Sequence, residues 1–502
     1  MDDRTGNATD VVLFFPRTRW DIAGVTTRLP LALLYLGSFL GRAGFSVRII
    51  DQRVDPGWRE RLRESLQAPP LWVGMTCMTG GQINSGLQAA RLVRDVVPSV
   101  PLVWGGIHPS ILPEQVLAHE LADVVVIGEG EQTALELTRA LAEPGIGVAS
   151  RLNPSRLQQL AGIAFLRDGV AVRTEPREHI DMQQLPELDY SLVPVESYLL
   201  REVGSERSLQ LTSSRGCPMR CGYCYLGSVP GGRRYRAESP ERTADAIQAL
   251  GRRFGVNALH IIDDEFFIRI ERARRVCELL LERGVRISLR GNCRVDALDR
   301  MDMETLRLFR RAGFHHLYLG VESGNDRVLD FIEKGTRTEQ VLRVNGKLGR
   351  AGIAPKYSFM AGFPTETLDE IKDTLHFMLR LLRENPLART TPLQLYTPYP
   401  GTPLYDYCLQ NGLQAPERFE GWADWGWERC SSEWLAPATR RFLQKAAYFT
   451  FFLDGKTVAD SLPSLWLRLV ARVYGRYVRE RIRHDLYGFM PEVVLIRNRL
   501  SS

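Results

Sequence analysis

Two series of short apolar runs, separated by stretches with helical periodicity, constrain the fold of this chain more than any other feature. The runs of the first series, between residues 11 and 142, are VVLFF, SVRIID, LWVGM, PLVWGG and DVVVIGEG. Runs that are apolar throughout are typical of parallel strands buried on both faces. The first series therefore predicts an α/β fold with a doubly wound, five-stranded parallel sheet flanked by helices.

The second series begins near residue 206 and contains six strand candidates, which are SLQLTSS, ALHIID, RISLRGNC, HHLYLGVESG, PKYSFMAGFP and LQLYTPYPG. Helical periodicity separates them at 239–254, 270–283, 303–312, 338–351 and 366–385. Six strand–helix units predict a partial, TIM-like (β/α)6 barrel. Its chemistry would lie at the carboxyl ends of the strands.

A chain of 502 residues is expected to form two or three domains. The patterns divide it into a sheet domain at 1–142, a proline-interrupted linker at 143–205 with a hairpin near 163–172, a barrel at 206–403 and a helix-rich region at 404–502. The net charge of +6 is too dispersed to favour nucleic acid. Neither a signal peptide nor a membrane-spanning run is evident, so we expect a cytoplasmic protein.

Three of the eight cysteines, Cys217, Cys221 and Cys224, follow a Cys-x3-Cys-x2-Cys spacing directly after the first barrel strand. Three thiolates in one short loop can bind three irons of a [4Fe–4S] cluster and leave the fourth iron open. Structural zinc would need a fourth nitrogen or sulfur ligand, and an odd cluster fits disulfides poorly. The scattered Cys277, Cys293, Cys408 and Cys430 are expected to be buried apolar side chains.

At the cysteine motif the sequence resembles the radical SAM superfamily, in which the open iron chelates S-adenosylmethionine (SAM). The resemblance covers about residues 205–400, and Tyr223 before the last cysteine matches the family's aromatic position. It implies that SAM contacts come from the second, third and fourth strand ends. Where the family has a Gly-Gly-Glu-like segment this chain has Asp263-Asp264-Glu265, so the assignment among these carboxylates stays open. The implied contacts are Tyr223, Asp264, Glu265, Arg294 and Glu322.

A sheet domain followed by such a barrel resembles the cobalamin-dependent subclass of that superfamily. The segments WGGIHPS at 104–110 and IGEGE at 127–131 look like its fourth and fifth loops. The chain has no Asp-x-His-x-x-Gly motif, so we expect cobalt without a histidine ligand, with Cys77 or Met78 as an alternative ligand. The implied cobalamin contacts are Thr76, Cys77, Met78, Gly105, Gly106, His108, Gly128, Glu129 and Gly130.

The resemblance implies a radical SAM C-methyltransferase. One SAM would methylate cobalamin, and a second would give a 5′-deoxyadenosyl radical that removes hydrogen from an unactivated carbon of a small molecule. That carbon would then take the methyl group from methylcobalamin. The substrate would be a natural-product precursor or a tetrapyrrole-like molecule, and an electron donor such as flavodoxin or ferredoxin would be a partner.

Two alternatives to methyl transfer remain open. One is an oxidative cyclase similar to the anaerobic magnesium-protoporphyrin monomethyl ester cyclase, which has the same modular order. The other, from a different class, is a non-catalytic cobalamin or metal sensor. A sensor would need no carboxylates at the barrel rim and would leave SAM uncleaved.

Two features of the C-terminal region also have two interpretations each. Four tryptophans within thirteen residues would form an apolar lid over the substrate or anchor this region to the barrel; they are Trp422, Trp425, Trp427 and Trp434. The stretch 466–483 combines an apolar helical face with an arginine-rich face. It would lie on a membrane surface or, more commonly for such helices, dock its apolar face against the protein.

Overall fold

The computed structural model describes residues 9–18, 21, 26–143, 152–202, 205–426, 434–455 and 464–488. Trp427, Cys430 and parts of the linker and of the loop after the first strand lie outside the described residues. The described portion contains two main β-sheets, each with helices packed around it. Among the described residues, none of the helices combines the length and apolarity that a bilayer crossing requires.

The first sheet has seven strands in the order β2-β1-β3-β4-β5-β6-β7. Its first five strands are mutually parallel, as the sequence predicts. The predicted hairpin in the linker extends the sheet by two antiparallel strands on the β5 edge. The strands are β1 (Val11–Phe15), β2 (Val47–Asp51), β3 (Trp72–Thr76), β4 (Leu102–Gly105), β5 (Val124–Val126), β6 (Ile163–Arg167) and β7 (Val170–Arg173).

Helices flank this sheet and separate its parallel strands. Their apolar stripes face the sheet, and strands such as β1 and β5 are almost wholly buried between them. The helices are α1 (Leu31–Arg42), α2 (Trp58–Leu66), α3 (Gln82–Val96), α4 (Ile107–Ile111), α5 (Pro113–Leu117), α6 (Glu131–Ala142) and α7 (Pro154–Leu157).

The second sheet runs in the order β16-β15-β14-β13-β12-β9-β8, and β17 also pairs with β15. All of its pairings are parallel except that of β8 with β9. A separate short pair, β10 with β11, lies beside the cysteine motif. The strands are β8 (Leu200–Glu202), β9 (Ser205–Leu211), β10 (Ser214–Arg215), β11 (Arg236–Ala237), β12 (Ala258–Ile261), β13 (Ser288–Cys293), β14 (Phe314–Glu322), β15 (Ala354–Ala361), β16 (Arg389–Thr390) and β17 (Gln394–Leu395).

The helices between these strands begin and end close to the predicted positions. The long ones are amphipathic, and several end at a glycine in the left-handed conformation, such as Gly255 and Gly352. This part contains α8 (Pro240–Phe254), α9 (Ile270–Glu282), α10 (Val295–Arg300), α11 (Met303–Ala312), α12 (Asp326–Phe331), α13 (Thr338–Ala351) and α14 (Leu368–Glu384).

Two arginines of the barrel and two glutamates of the sheet domain pair across the contact between them. Arg215 Nη2 lies 2.6 Å from Glu131 Oε1, and Arg236 Nη2 lies 2.6 Å from Glu129 Oε1. These side chains are largely buried. Because both glutamates follow β5 and Arg215 directly precedes the cysteine motif, the pairs set the carboxyl edges of the two sheets against each other.

The C-terminal region contains α15 (Pro403–Gln410), α16 (Pro437–Phe449) and α17 (Leu465–Arg483). The indole nitrogens of three tryptophans donate hydrogen bonds to other parts of the chain: Trp422 to Gln115, Trp425 to the Pro398 carbonyl and Trp434 to the Gly362 carbonyl. These contacts favour the anchoring interpretation for the described tryptophans.

The apolar residues predicted for one face of α17 divide between the protein interior and solvent. Val478 and Ile482 are buried, whereas Trp466, Leu469 and Val473 are exposed. Contact of this helix with a membrane surface stays a prediction.

His108 shows how tightly the C-terminal region packs on the sheet domain. Its ring is fully buried and stacked on Phe419, with Trp422 beside it. Burial lowers the pKa of His108 to about 4. The folded protein therefore holds this imidazole neutral at pH values where the unfolded chain protonates it.

We predict that this histidine makes the protein sensitive to acid. The contribution of His108 to the free energy of unfolding is fully present above about pH 6.5, the ordinary histidine pKa. It is lost progressively as the pH falls from 6.5 to 4, because only the unfolded state binds the extra proton in this range. A shift of this size corresponds to about 3 kcal/mol at full development. Thermal unfolding between pH 7.5 and 4.5 should show a weaker pH dependence for His108→Gln than for the wild type. An identical dependence would contradict the prediction.

Candidate active site

The cysteine motif forms a loop held by its own backbone and by its neighbours. The Cys217 amide donates to the Gly232 carbonyl (2.9 Å), the Cys224 amide to the Cys221 carbonyl (3.1 Å) and the Gly222 amide to the Ile332 carbonyl (2.9 Å). Gly216, which opens the loop, has a φ of +83°, and a Cβ there would overlap the Arg234 carbonyl oxygen. This position thus requires glycine.

The three thiols are free and lie in one loop, with Cys221 buried and the other two half-buried. Burial raises the pKa of Cys217 to about 11 and also raises that of Cys224. Within the described ranges, no three His, Cys, Asp or Glu side chains converge on the position of a single metal ion. A [4Fe–4S] cluster takes each thiolate on a different iron and removes its proton, so the donor set fits a cluster.

The three carboxylates after β12 differ in their surroundings. Asp263 is fully buried and accepts hydrogen bonds from the Ser213 amide and from the Ser213 and Ser214 hydroxyls. Asp264 accepts one from the Gly216 amide (2.9 Å), which ties it to the cysteine loop. Burial raises the pKa of Glu265 to about 8. The hydrogen bonds of Asp263 are used within the protein, whereas Asp264 and Glu265 line a cavity.

That cavity, of about 370 Å³, is the barrel cavity. Carboxylates and a guanidinium at the ends of β12, β13 and β14 form one part of its wall. They suit the ammonium and the carboxylate of the SAM methionyl group, so the residues present fit that ligand. The predicted SAM contacts among its lining residues are Asp264, Glu265, Arg294 and Glu322.

Arg294 and Tyr223 connect this cavity to the cysteine loop. Arg294 Nη1 lies 3.5 Å from Cys221 Sγ, and its Nη2 donates to the Lys334 carbonyl. The Tyr223 hydroxyl donates to Glu322 Oε1 (3.1 Å), which also accepts from Lys334 Nζ (2.9 Å). Lys334 and Glu322 are both buried, so this ion pair is shielded from solvent.

A second cavity, of about 380 Å³, lies at the carboxyl edge of the first sheet, and we refer to it as the interdomain cavity. Thr212, Arg215 and Ile262 of the barrel close its other side. The lining is mostly apolar and rich in glycine. At Gly106, with φ +96°, a Cβ would lie 2.8 Å from the Cys77 carbonyl oxygen. The predicted cobalamin contacts that line it are Thr76, Gly105, Gly106, Gly128, Glu129 and Gly130.

The structure does not bring the other three predicted cobalamin residues to this cavity. Cys77 is buried in the core, and burial raises its pKa. Met78 is half exposed. His108 is fully buried, with Nδ1 2.9 Å from the Thr79 hydroxyl. Side chains that follow a strand point to either side of the loop, and the motif does not specify which.

Sequence reasoning missed Lys334 and the role of Arg215. Lys334 stands between two barrel helices, with no motif to mark it, and only the fold brings it to Glu322. Arg215 directly precedes the motif glycine, but its partner Glu131 lies 84 residues earlier in the chain. Neither role could have been found without the long-range contacts.

Comparison with known proteins identifies both domains. Residues 211–378 match the Radical SAM superfamily and residues 26–138 match the B12 binding domain. An uncharacterized methyltransferase of Pyrococcus horikoshii is 28% identical, over 90% of this chain and 94% of the relative. The anaerobic magnesium-protoporphyrin IX monomethyl ester cyclase of Cereibacter sphaeroides is also 28% identical, over 75% of this chain, which spans only 60% of the cyclase's length.

The solved structure of the cobalamin-dependent S-adenosylmethionine radical enzyme OxsB, with aqua-cobalamin and SAM bound, has a similar fold. Its TM-score is 0.76 over 98% of this chain and 75% of OxsB, at 17% identity. The chain is a radical SAM enzyme that also carries a B12-binding domain. These domains imply a [4Fe–4S] cluster, SAM and cobalamin, which confirms the cofactors predicted from the sequence. The parallel sheets and the similar fold of OxsB confirm the predicted α/β fold class.

Substitution of one motif cysteine tests the cluster loop. We predict that Cys221→Ala lowers the iron bound after anaerobic reconstitution from about four atoms per chain to less than about one, because a cluster needs all three thiolates. Iron analysis and the absorbance spectrum measure this. The matched control is Cys277→Ala, a buried cysteine of α9 that should keep its iron. Full iron content in Cys221→Ala would disprove the assignment.

The interdomain cavity is tested by filling it. Ala134 on α6 lines this cavity, and Ala134→Trp should weaken corrinoid binding roughly tenfold or more by occupying the space, while iron content stays unchanged. Ala142→Trp, at the exposed end of the same helix, is the control. Binding is measured from the corrinoid absorbance after desalting. Equal binding by both variants would place cobalamin elsewhere.

Proposed function

We propose that this protein is a cobalamin-dependent radical SAM C-methyltransferase that acts on a small molecule. The observation that carries the proposal is the opposition of two cavities at the carboxyl edges of two parallel sheets. Ile262 lines the interdomain cavity, and Asp264, two residues later, lines the barrel cavity. When bound, the cofactors would supply the methyl group and the radical, so the role of the protein is to position the cofactors and the substrate.

The residues of this chain would hold SAM by its methionyl group. Arg294 pairs through Nε with Asp296, and its Nη atoms keep N–H groups that match the carboxylate. Asp264 or Glu265 matches the ammonium. Asp263 is unsuited to that role because Ser213 and Ser214 already occupy its oxygens. Of the three carboxylates that the sequence offers for the SAM ammonium, Asp264 and Glu265 therefore remain candidates.

A second group of residues would keep the SAM site rigid and dry. The buried ion pair of Lys334 with Glu322, together with the Tyr223 hydroxyl, joins β14 to the cysteine loop. Glu322 has a φ of +73°, which a non-glycine residue adopts only where its surroundings impose it. Such fixed positioning reduces the reorganisation that the reaction requires.

The relatives include methyltransferases, which support methyl transfer, and cyclases, which leave the cyclase alternative open. This chain spans nearly the full length of the Pyrococcus horikoshii methyltransferase but only 60% of the cyclase. Coverage therefore favours the methyltransferase. The proposal includes a natural-product precursor or a tetrapyrrole-like substrate, an electron donor such as flavodoxin or ferredoxin, and a cytoplasmic location, where reducing conditions keep the motif thiols free.

The decisive experiment follows an isotopic label. Reconstituted enzyme, SAM with a trideuterated methyl group and a chemical reductant are incubated with a protein-free extract of small metabolites. We predict 5′-deoxyadenosine and a product that has gained one labelled methyl group, both measured by mass spectrometry. Cys221→Ala is the control and should form neither.

Three other outcomes would contradict the proposal. A product that has lost hydrogen without gaining label indicates an oxidative cyclase. Deoxyadenosine without labelled product from any extract indicates a radical enzyme that does not transfer methyl groups. Uncleaved SAM with cobalamin bound indicates a sensor.

A further inference from the structure

The inward face of the barrel strands carries basic and polar side chains where an ordinary barrel would carry apolar ones. His260 on β12 pairs in register with Arg290 on β13, and Tyr318 on β14 pairs with Lys356 on β15. The neighbours of these residues in the strands, such as Leu317 and Tyr357, are fully buried and belong to the core under the helices. The inward face is therefore built to meet a ligand rather than to fill a core.

Three of these side chains and one from the sheet domain form a continuous row, which we name the basic row: Arg28, His260, Tyr318 and Lys356. Arg28, from the segment before α1, has Nη1 3.3 Å from Nδ1 of His260. The His260 ring stacks on Tyr318 with centroids 4.8 Å apart, and Lys356 Nζ lies 5.4 Å from the centroid of the Tyr318 ring. The row thus has a cation at each end, and Tyr318 and Lys356 line the barrel cavity.

The pKa of His260 reflects its burial and the positive charges around it. Burial lowers its pKa to about 3, with contributions from the positive charges of Arg28, Arg290 and Lys356, and a hydrogen bond with Asn292 only partly offsets them. The imidazole is therefore neutral. Because its Nδ1 accepts from Arg28, its proton is on Nε2. The row therefore presents a neutral imidazole between Arg28 and the Tyr318 ring.

Acidic and basic groups both line the cavity near the strand ends. Arg294 and Lys334 stand there together with Asp264, Glu265 and Glu322. Tyr318 and Lys356 pair at one level of the sheet, before the register shift between Gly320 and Glu322. Lys356 therefore adds its positive charge to the wall of the same cavity, where it can attract a negative group of a ligand.

We propose that the basic row binds an oxyanion of the substrate, a carboxylate, phosphate or phosphonate group, and that the substrate is therefore an anionic small molecule. The inference rests on the proposed function, because it assigns the substrate class of that same site. Guanidinium and ammonium groups form strong, charge-assisted hydrogen bonds with such groups. The anion would be anchored below the rim, and the carbon to be methylated would face the interdomain cavity.

The test measures anion binding without turnover. Holoenzyme reconstituted with iron and corrinoid is titrated calorimetrically with inorganic pyrophosphate and with citrate, which represent the two sources of oxyanion. We expect wild-type protein to bind at least one of them, with affinity that falls as salt is added. Arg28→Met and Lys356→Met should each weaken binding roughly tenfold or more, and Lys356→Arg should retain it.

The matched control is Lys372→Met, a lysine on the outer helix α14 whose loss should leave anion binding unchanged. SAM affinity is measured on the same samples and should be the same in every variant. Preference for pyrophosphate or citrate identifies the kind of oxyanion.

Failure of this inference is distinguishable from failure of the proposed function. The inference is overturned by wild-type protein that binds neither probe, by variants that bind as the wild type does, or by a parallel loss of SAM affinity, which would assign the row to SAM or to folding. Absence of labelled product in the methyl-transfer experiment would overturn the proposed function and leave anion binding as measured.

Discussion

The ion pairs of Arg215 with Glu131 and of Arg236 with Glu129 are the contact on which the rest of the arrangement depends. Buried ion pairs contribute little net stability, because desolvation offsets their attraction, but a misplaced partner is costly. They therefore act mainly on geometry. Arg215 adjoins the cysteine loop and Glu131 begins a helix of the sheet domain, so one salt bridge fixes the cluster loop relative to the interdomain cavity.

Much of the fold follows from local sequence signals. Helices α8, α9, α11, α13 and α14 were predicted to within two residues at each end, because amphipathic periodicity, capping residues and closing glycines all act locally. The addition of the linker hairpin to the β5 edge was not predicted, because strand pairing between distant segments leaves no periodic trace. The parallel strands were recognisable since burial on both faces makes them continuously apolar.

The candidate site was predictable to a different extent at different positions. Backbone-defined positions, such as the glycines after β4 and β5, line the cavity as the loops suggested. Side-chain directions were not predictable: Cys77 and His108 are buried in the core, because packing with distant residues such as Phe419 and Trp422 decides which way a loop side chain points. Likewise, only three-dimensional contacts show that serine hydroxyls donate hydrogen bonds to the Asp263 carboxylate and that Lys334 pairs with Glu322.

The segment from Ile262 to Asp264 separates the interdomain cavity from the barrel cavity by only three residues. Any substitution there would disturb both neighbours, so this stretch offers little freedom for adaptation. New substrate preferences would instead have to arise in the deeper barrel wall. Proteins of this architecture would accordingly be expected to differ most in the barrel wall, while the segment between the two cavities stays the same.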